Sequence, residues 1–147
     1  MGPVQEELIQ ETYTPQQKAI NFAKDEVLPN LNKLMPGRTR GGDTYTTDEM
    51  KTIARQLNLN SSKGKKELYS SILDFMEENG LITPIDVARN KIFSGDEGQE
   101  LGEAKFKVAE LKSWAGKMGL STAGARKDIY ARIVAKIVEE AAKTQPQ

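Results

Sequence analysis

The sequence predicts an all-α chain built from two helical hairpins and a separate N-terminal helix. Three observations carry that expectation. Apolar residues recur at the i, i+3, i+4, i+7 spacing of amphipathic helices, and capping and stop residues bracket each such stripe. The stretch 45–76 also recurs, without a gap, 61 residues later at 106–137.

The first helix opens at Thr14-Pro15-Gln16-Gln17, where Thr14 suits a cap, Pro15 the first turn and Gln17 the third position of a capping box. Its apolar face is Ile20, Ala23, Val27 and Leu31. Pro29 is expected to kink or end it, and Met35-Pro36-Gly37 to stop it. Arg38 to Asp43 reads as a flexible basic linker. The second helix is capped at Thr46 with Glu49 three residues on, carries Met50, Ile53, Ala54 and Leu57, and ends near Asn58. Asn60, Ser61 and Ser62 are candidate caps for the third, with the stripe Tyr69, Ile72, Leu73, Met76 and the stop Asn79-Gly80. Thr83-Pro84 starts a weaker helix to about Ile92, and Ser94 to Gly98 reads as a mobile acidic loop. The hairpin pattern then returns: Leu111, Trp114, Ala115 and Met118, a stop at Gly119, caps at Ser121 and Thr122, then Ile129, Tyr130, Ile133, Val134 and Ile137.

The 61-residue offset matches polar as well as apolar positions. Glu49/Glu110, Lys51/Lys112, Lys66/Lys127 and Tyr69/Tyr130 are identical, and Lys65/Arg126 and Glu67/Asp128 keep their charge. Shared helical periodicity accounts for the apolar matches alone, so the polar ones favour a duplication. The resulting division is 1–44 (N-terminal helix and basic linker), 45–80 (first module), 81–104 (short helix and acidic linker), 105–143 (second module) and 144–147 (tail).

The chain has 147 residues and no cysteine or histidine, which removes disulfides, thiolate or imidazole metal ligands and the usual general base. The formal net charge is zero, but it is unevenly placed. Residues 77–104 set seven acids against Arg89 and Lys91, whereas 105–137 set eight basic groups against Glu110 and Asp128. The acids Glu97, Glu100 and Glu103 lack the supporting residues of a calcium loop or nuclease site, and no phosphate-loop motif is present. Neither an enzymatic activity, a metal nor any other cofactor is expected. The acidic stretch reads instead as a spacer that repels a polyanion and holds the basic modules apart.

Read whole, the second copy runs Lys107-Val108-Ala109-Glu110-Leu111-Lys112, Gly119-Leu120-Ser121-Thr122-Ala123-Gly124, Arg126-Lys127-Asp128-Ile129 and Arg132-Ile133. It resembles the SAP family, in which a helix beginning V-x-x-L-K is followed by a G-L-S-x-x-G turn and a second basic helix. The first copy, residues 46–76, is similar but departs from the pattern. It has Asn58 at the turn glycine and Lys63-Gly64 where the second copy has Ala123-Gly124, so Gly64 comes one place late and the turn geometry stays open. The resemblance implies a helix–extended loop–helix fold and sequence-tolerant binding of duplex DNA, as in accessory modules of chromatin, repair, transcription or viral proteins.

Helix N-termini offer free amides and partial positive charge to a phosphate, so the residues themselves point the same way, more weakly. The expected DNA-binding residues are Ser61, Ser62, Lys63, Gly64, Lys65 and Lys66 in the first copy. In the second they are Ser121, Thr122, Gly124, Arg126 and Lys127, with Arg38 and Arg40 of the linker added. Lysines at a helix start oppose the helix dipole, which favours an external anion there. Trp114 is read as core, and Tyr69 and Tyr130 as core residues whose hydroxyls reach the surface.

The competing reading is a helical protein–protein adaptor, or a structural component of a virion, with no DNA affinity. A protein partner on the N-terminal helix fits either reading. No long apolar run suggests a membrane span, and Glu6 and Glu7 sit where a signal peptide needs basic and then apolar residues, so an intracellular protein (cytoplasm or nucleoid, nucleus, or virion) is expected.

Overall fold

The computed structural model describes residues 14–36, 44–95 and 98–144. Helices are the only regular elements among them, and the chain is all-α. They fall into two compact units, one containing the described residues up to Leu81 and the other beginning at Ile82.

In the first unit, α1 (Pro15–Phe22) begins as its sequence dictates: the Thr14 hydroxyl accepts the Gln17 N–H at 3.1 Å and Pro15 occupies the first turn. The capping box stays half closed, because the Gln17 side chain donates to Asn21 at 3.0 Å instead of returning to the cap. Pro29 acts earlier than expected. Its ring crowds the carbonyl four residues back and it has no N–H to give. The chain therefore widens over Ala23–Val27, where Leu28 N–H reaches the Ala23 carbonyl, and then tightens into a 3₁₀ turn at Leu28–Lys33. This irregular winding rotates the buried stripe to Ala19, Ala23, Val27 and Leu34, leaving Ile20 and Leu31 only half-buried.

Helix α2 (Thr47–Gln56) has the full capping box, Thr46 N–H to Glu49 Oε1 at 2.9 Å and Glu49 N–H to Thr46 Oγ1 at 3.1 Å. Met50, Ile53, Ala54 and Leu57 are buried against Leu68, Tyr69, Ile72, Leu73, Phe75 and Met76, the last six carried by α3 (Lys65–Glu78). Large apolar side chains of this kind contribute roughly 1.5–3 kcal/mol each when fully buried. The N-terminal segment belongs to the same body. Asn58 Nδ2 donates to the Pro15 carbonyl at 3.4 Å, and Gln16 Nε2 to Asn79 Oδ1 at 3.2 Å. Its buried residues Ala19, Ala23, Val27 and Leu34 belong to the core of this unit.

The second unit starts with α4 (Pro84–Ile92), capped reciprocally by Thr83 and Asp86. Ala88 and Ile92 enter one cluster with Phe106, Leu111, Trp114, Ala115, Ile129, Tyr130, Ile133 and Ile137. The stretch read as a spacer is therefore partly core: α4 packs on α5 (Val108–Lys117) and α6 (Arg126–Thr144). Leu101 N–H donates to the Ile92 carbonyl at 2.8 Å, fastening the acidic segment back onto α4. Trp114 is 4% exposed and meets Phe106 edge-on at 5.5 Å, as a core residue.

Helices α2 and α5 are both ten residues long, start 61 positions apart and end in the same way. Leu59 N–H reaches Ala54 and Leu120 N–H reaches Ala115, both at 2.8 Å, across Asn58 (φ +62°) and Gly119 (φ +75°). With Asn58 to Arg55 and Gly119 to Gly116 at 3.1 Å each, both ends are Schellman motifs. Asn58 thus does the work of the missing glycine, since Asn tolerates left-handed backbone better than other side-chain-bearing residues.

Candidate nucleic-acid interface

The loop between α5 and α6 is held from behind by Arg132, in the second turn of α6. Its Nη1 donates to the carbonyls of Ser121 at 3.2 Å and Ala123 at 2.5 Å. In a trans peptide the N–H points opposite to the C=O. Turning these two carbonyls toward the guanidinium therefore turns the N–H groups of Thr122 and Gly124 away from it. Gly124 adopts φ +102°, and a Cβ there would lie 3.3 Å from Asp128 Oδ2 and 3.4 Å from Arg132 Nη2, so only glycine passes without strain.

The start of α6 differs from the expected capping. Ser121 and Thr122 do not cap it: Ser121 Oγ accepts the Ala123 N–H at 3.2 Å, within the loop. The cap position is Ala125, whose N–H donates to Asp128 Oδ2 at 3.2 Å while its carbonyl accepts from Ile129. Arg126 and Lys127 then open the helix, where backbone N–H groups have no intrahelical acceptor. Ser121, Thr122, Gly124, Arg126 and Lys127 are all exposed around this one helix end. Lys127 has no ion-pair partner among the described residues, whereas Arg126 Nε lies 3.4 Å from Glu103 Oε2.

The tyrosine hydroxyl does not reach outward as expected. Tyr130 is 7% exposed, donates to Glu100 Oε2 and accepts the Gly102 N–H at 3.2 Å. Burial, then Glu100, push its ionisation above the ordinary phenol range, so it stays a donor. Tyr69 is buried too. Sequence reasoning left Arg132 without a role, although it is four residues after Asp128 and so shares its helix face.

In the first unit, Asn60 rather than a serine organises the loop, accepting from Ser62 N–H at 2.8 Å and Ser62 Oγ at 2.6 Å. None of Asn60, Ser61 and Ser62 caps α3. Its cap is Gly64, at φ −71° with no side-chain bond, so the late glycine aligns with Ala125 and performs that residue's task. Lys63 and Lys66 are exposed with no ion pair among the described residues; Lys65 is half-buried and engaged. Position 71 is Ser, so the Arg132 clamp has no counterpart. Arg38 and Arg40 lie outside the described residues, as does Glu97. No group of three or more carboxylates converges as a metal site among the described residues, and no helix among them is long and apolar enough to cross a membrane.

Residues 104–135 match the SAP domain. The match spans α5, the Arg132-clamped loop and the first half of α6, and the SAP domain is a nucleic-acid-binding module rather than a catalytic one. Residues 45–76 and α4 lie outside the matched SAP segment. Comparison with curated proteins and with solved structures gave no match.

Proposed function

We propose that the protein is a non-catalytic accessory factor that holds duplex DNA by its phosphates, with little sequence specificity, through two SAP-like modules at 45–80 and 105–143. The observation that carries this reading is the SAP match lying over the α5–α6 loop, where the N–H groups of Thr122 and Gly124 turn away from Arg132 and Thr122, Gly124 and Lys127 are exposed by the α6 start. Backbone amides and lysines contact phosphate oxygens, which set register on a duplex without reading bases. The surrounding stretch 105–137 has six more basic than acidic residues, so a polyanion is attracted there despite a neutral chain.

The first hairpin joins the proposal on weaker grounds: the 61-residue polar match, the equivalent Schellman closures, and Lys63 and Lys66 beside the α3 start with no ion pair among the described residues. Two linked modules that each bind weakly can gain roughly 10²–10⁴ in avidity if the chain between them lets both engage. Amide chemical-shift mapping of the whole protein with two duplexes of unrelated sequence tests the assignment. The expected result is shifts at 121–127, and smaller ones at 61–66, in the same pattern for both duplexes. Shifts confined elsewhere, or none at low salt, refute it.

A further inference from the structure

The acidic turn before α5 touches the same helix end that is proposed to receive phosphate. Glu103 begins the 3₁₀ turn Glu103–Lys105, which packs on α6, and its carboxylate lies 3.4 Å from Arg126. Both side chains are about two-fifths exposed, so the pair sits at the surface. Three residues earlier, Glu100 takes the Tyr130 hydroxyl, and the Gly102 N–H closes the turn onto the same oxygen. The turn that carries Glu103 to Arg126 is thus anchored, through Glu100 and Gly102, on the buried Tyr130.

We infer that the Glu100–Glu103 turn is an autoinhibitory contact, a built-in competitor that occupies Arg126 and sets a negative charge against any phosphate approaching the start of α6. This inference rests on the phosphate-binding reading of that helix end. A carboxylate and a phosphate oxygen accept from the same guanidinium donors, so one must yield Arg126 Nε for the other to take it. The exposed Arg126–Glu103 pair itself contributes little to stability, so it can open without unfolding the unit. The arrangement also gives the acidic stretch a role that a passive spacer does not have: it tunes the affinity of the second module down.

The test uses the whole protein and a labelled random-sequence duplex in fluorescence anisotropy at low salt. Glu103→Gln removes the charge while keeping the shape. Glu78→Gln removes an exposed charge from the first unit and reports the generic effect of net charge. Lys127→Glu reports whether the α6 start binds DNA at all. Glu103→Gln is expected to tighten binding about three- to sevenfold, the size of one charge at about 7 Å in a largely aqueous dielectric, with Glu100→Gln adding to it and Glu78→Gln changing it less than about twofold. A wild type that binds, weakened by Lys127→Glu but no tighter in Glu103→Gln than in Glu78→Gln, overturns the autoinhibition alone. Weaker binding by Glu103→Gln overturns it too, by showing that Glu103 positions Arg126 for DNA. Absence of binding in every variant removes the phosphate reading, and the inference with it.

Discussion

Replacing Gly124 by alanine isolates the loop that orients the proposed phosphate site. The residue sits at φ +102°, beyond the left-handed basin that asparagine tolerates, and a side chain in such sparsely populated regions costs about 1–3 kcal/mol. The new Cβ would also crowd Asp128 and Arg132 at 3.3–3.4 Å, the two side chains that fix the loop and the helix start. Trp114, the single tryptophan, is buried in the core of the same unit, so its fluorescence reports unfolding there. With a urea slope of about 1 kcal/mol/M for so small a unit, the midpoint should fall by about 1–3 M. Gly64→Ala is the contrast. Its φ of −71° and ψ of 168° suit any residue and no atom lies within 4 Å of the added Cβ. The loss of glycine at a cap and the gain from a stiffer unfolded chain nearly cancel, giving a change within about 0.5 kcal/mol by circular dichroism. An unchanged Trp114 transition in Gly124→Ala would refute the strained-loop argument.

Asn58→Gly should leave stability within about 0.5 kcal/mol, because glycine accepts the same φ, whereas Asn58→Val should lower it by about 1–2 kcal/mol; chemical denaturation followed by circular dichroism distinguishes them. Arg132→Met should leave the second unit folded by Trp114 fluorescence yet weaken DNA binding about tenfold, as the carbonyls of Ser121 and Ala123 lose their common donor. Arg132→Lys, which keeps a donor but not the fork, should recover part of that loss.

Much of the architecture was legible because it is local. The box at Thr46/Glu49, the helix start at Thr83-Pro84 and the stop at Asn79-Gly80 are encoded within four or five residues, and each forms. What the periodicity hid was tertiary. Nothing in Pro84–Ile92 announces that Ala88 and Ile92 will complete the core around Trp114, and an acid-rich segment looks like a spacer until Tyr130 is seen holding Glu100. The candidate caps failed for a related reason. Ser, Thr and Asn can bond their own loop as readily as a helix, and here Ser121 and Asn60 bond within the loop, leaving Ala125 and Gly64 at the caps. Asn58 and Gly119 make equivalent turns although the letters differ, because backbone angle rather than residue name is what the motif requires. Arg132 is the reverse case, an ordinary helical arginine by sequence whose role appears only once the loop folds over it.

The most direct test of the phosphate-holding account is the salt dependence of duplex binding by the whole protein and by a Lys63→Glu, Lys66→Glu, Lys127→Glu triple variant. These lysines are exposed and unpaired among the described residues, so helix content should not change. The account predicts a log–log salt slope of about −5 for the wild type, against about −3 for one module acting alone. In the triple variant, binding should be nearly abolished at about 50 mM salt, where phosphate-driven association is strongest. Equal affinity and equal slope for the two proteins, or no affinity for either, would contradict it and leave the helical adaptor as the reading to pursue.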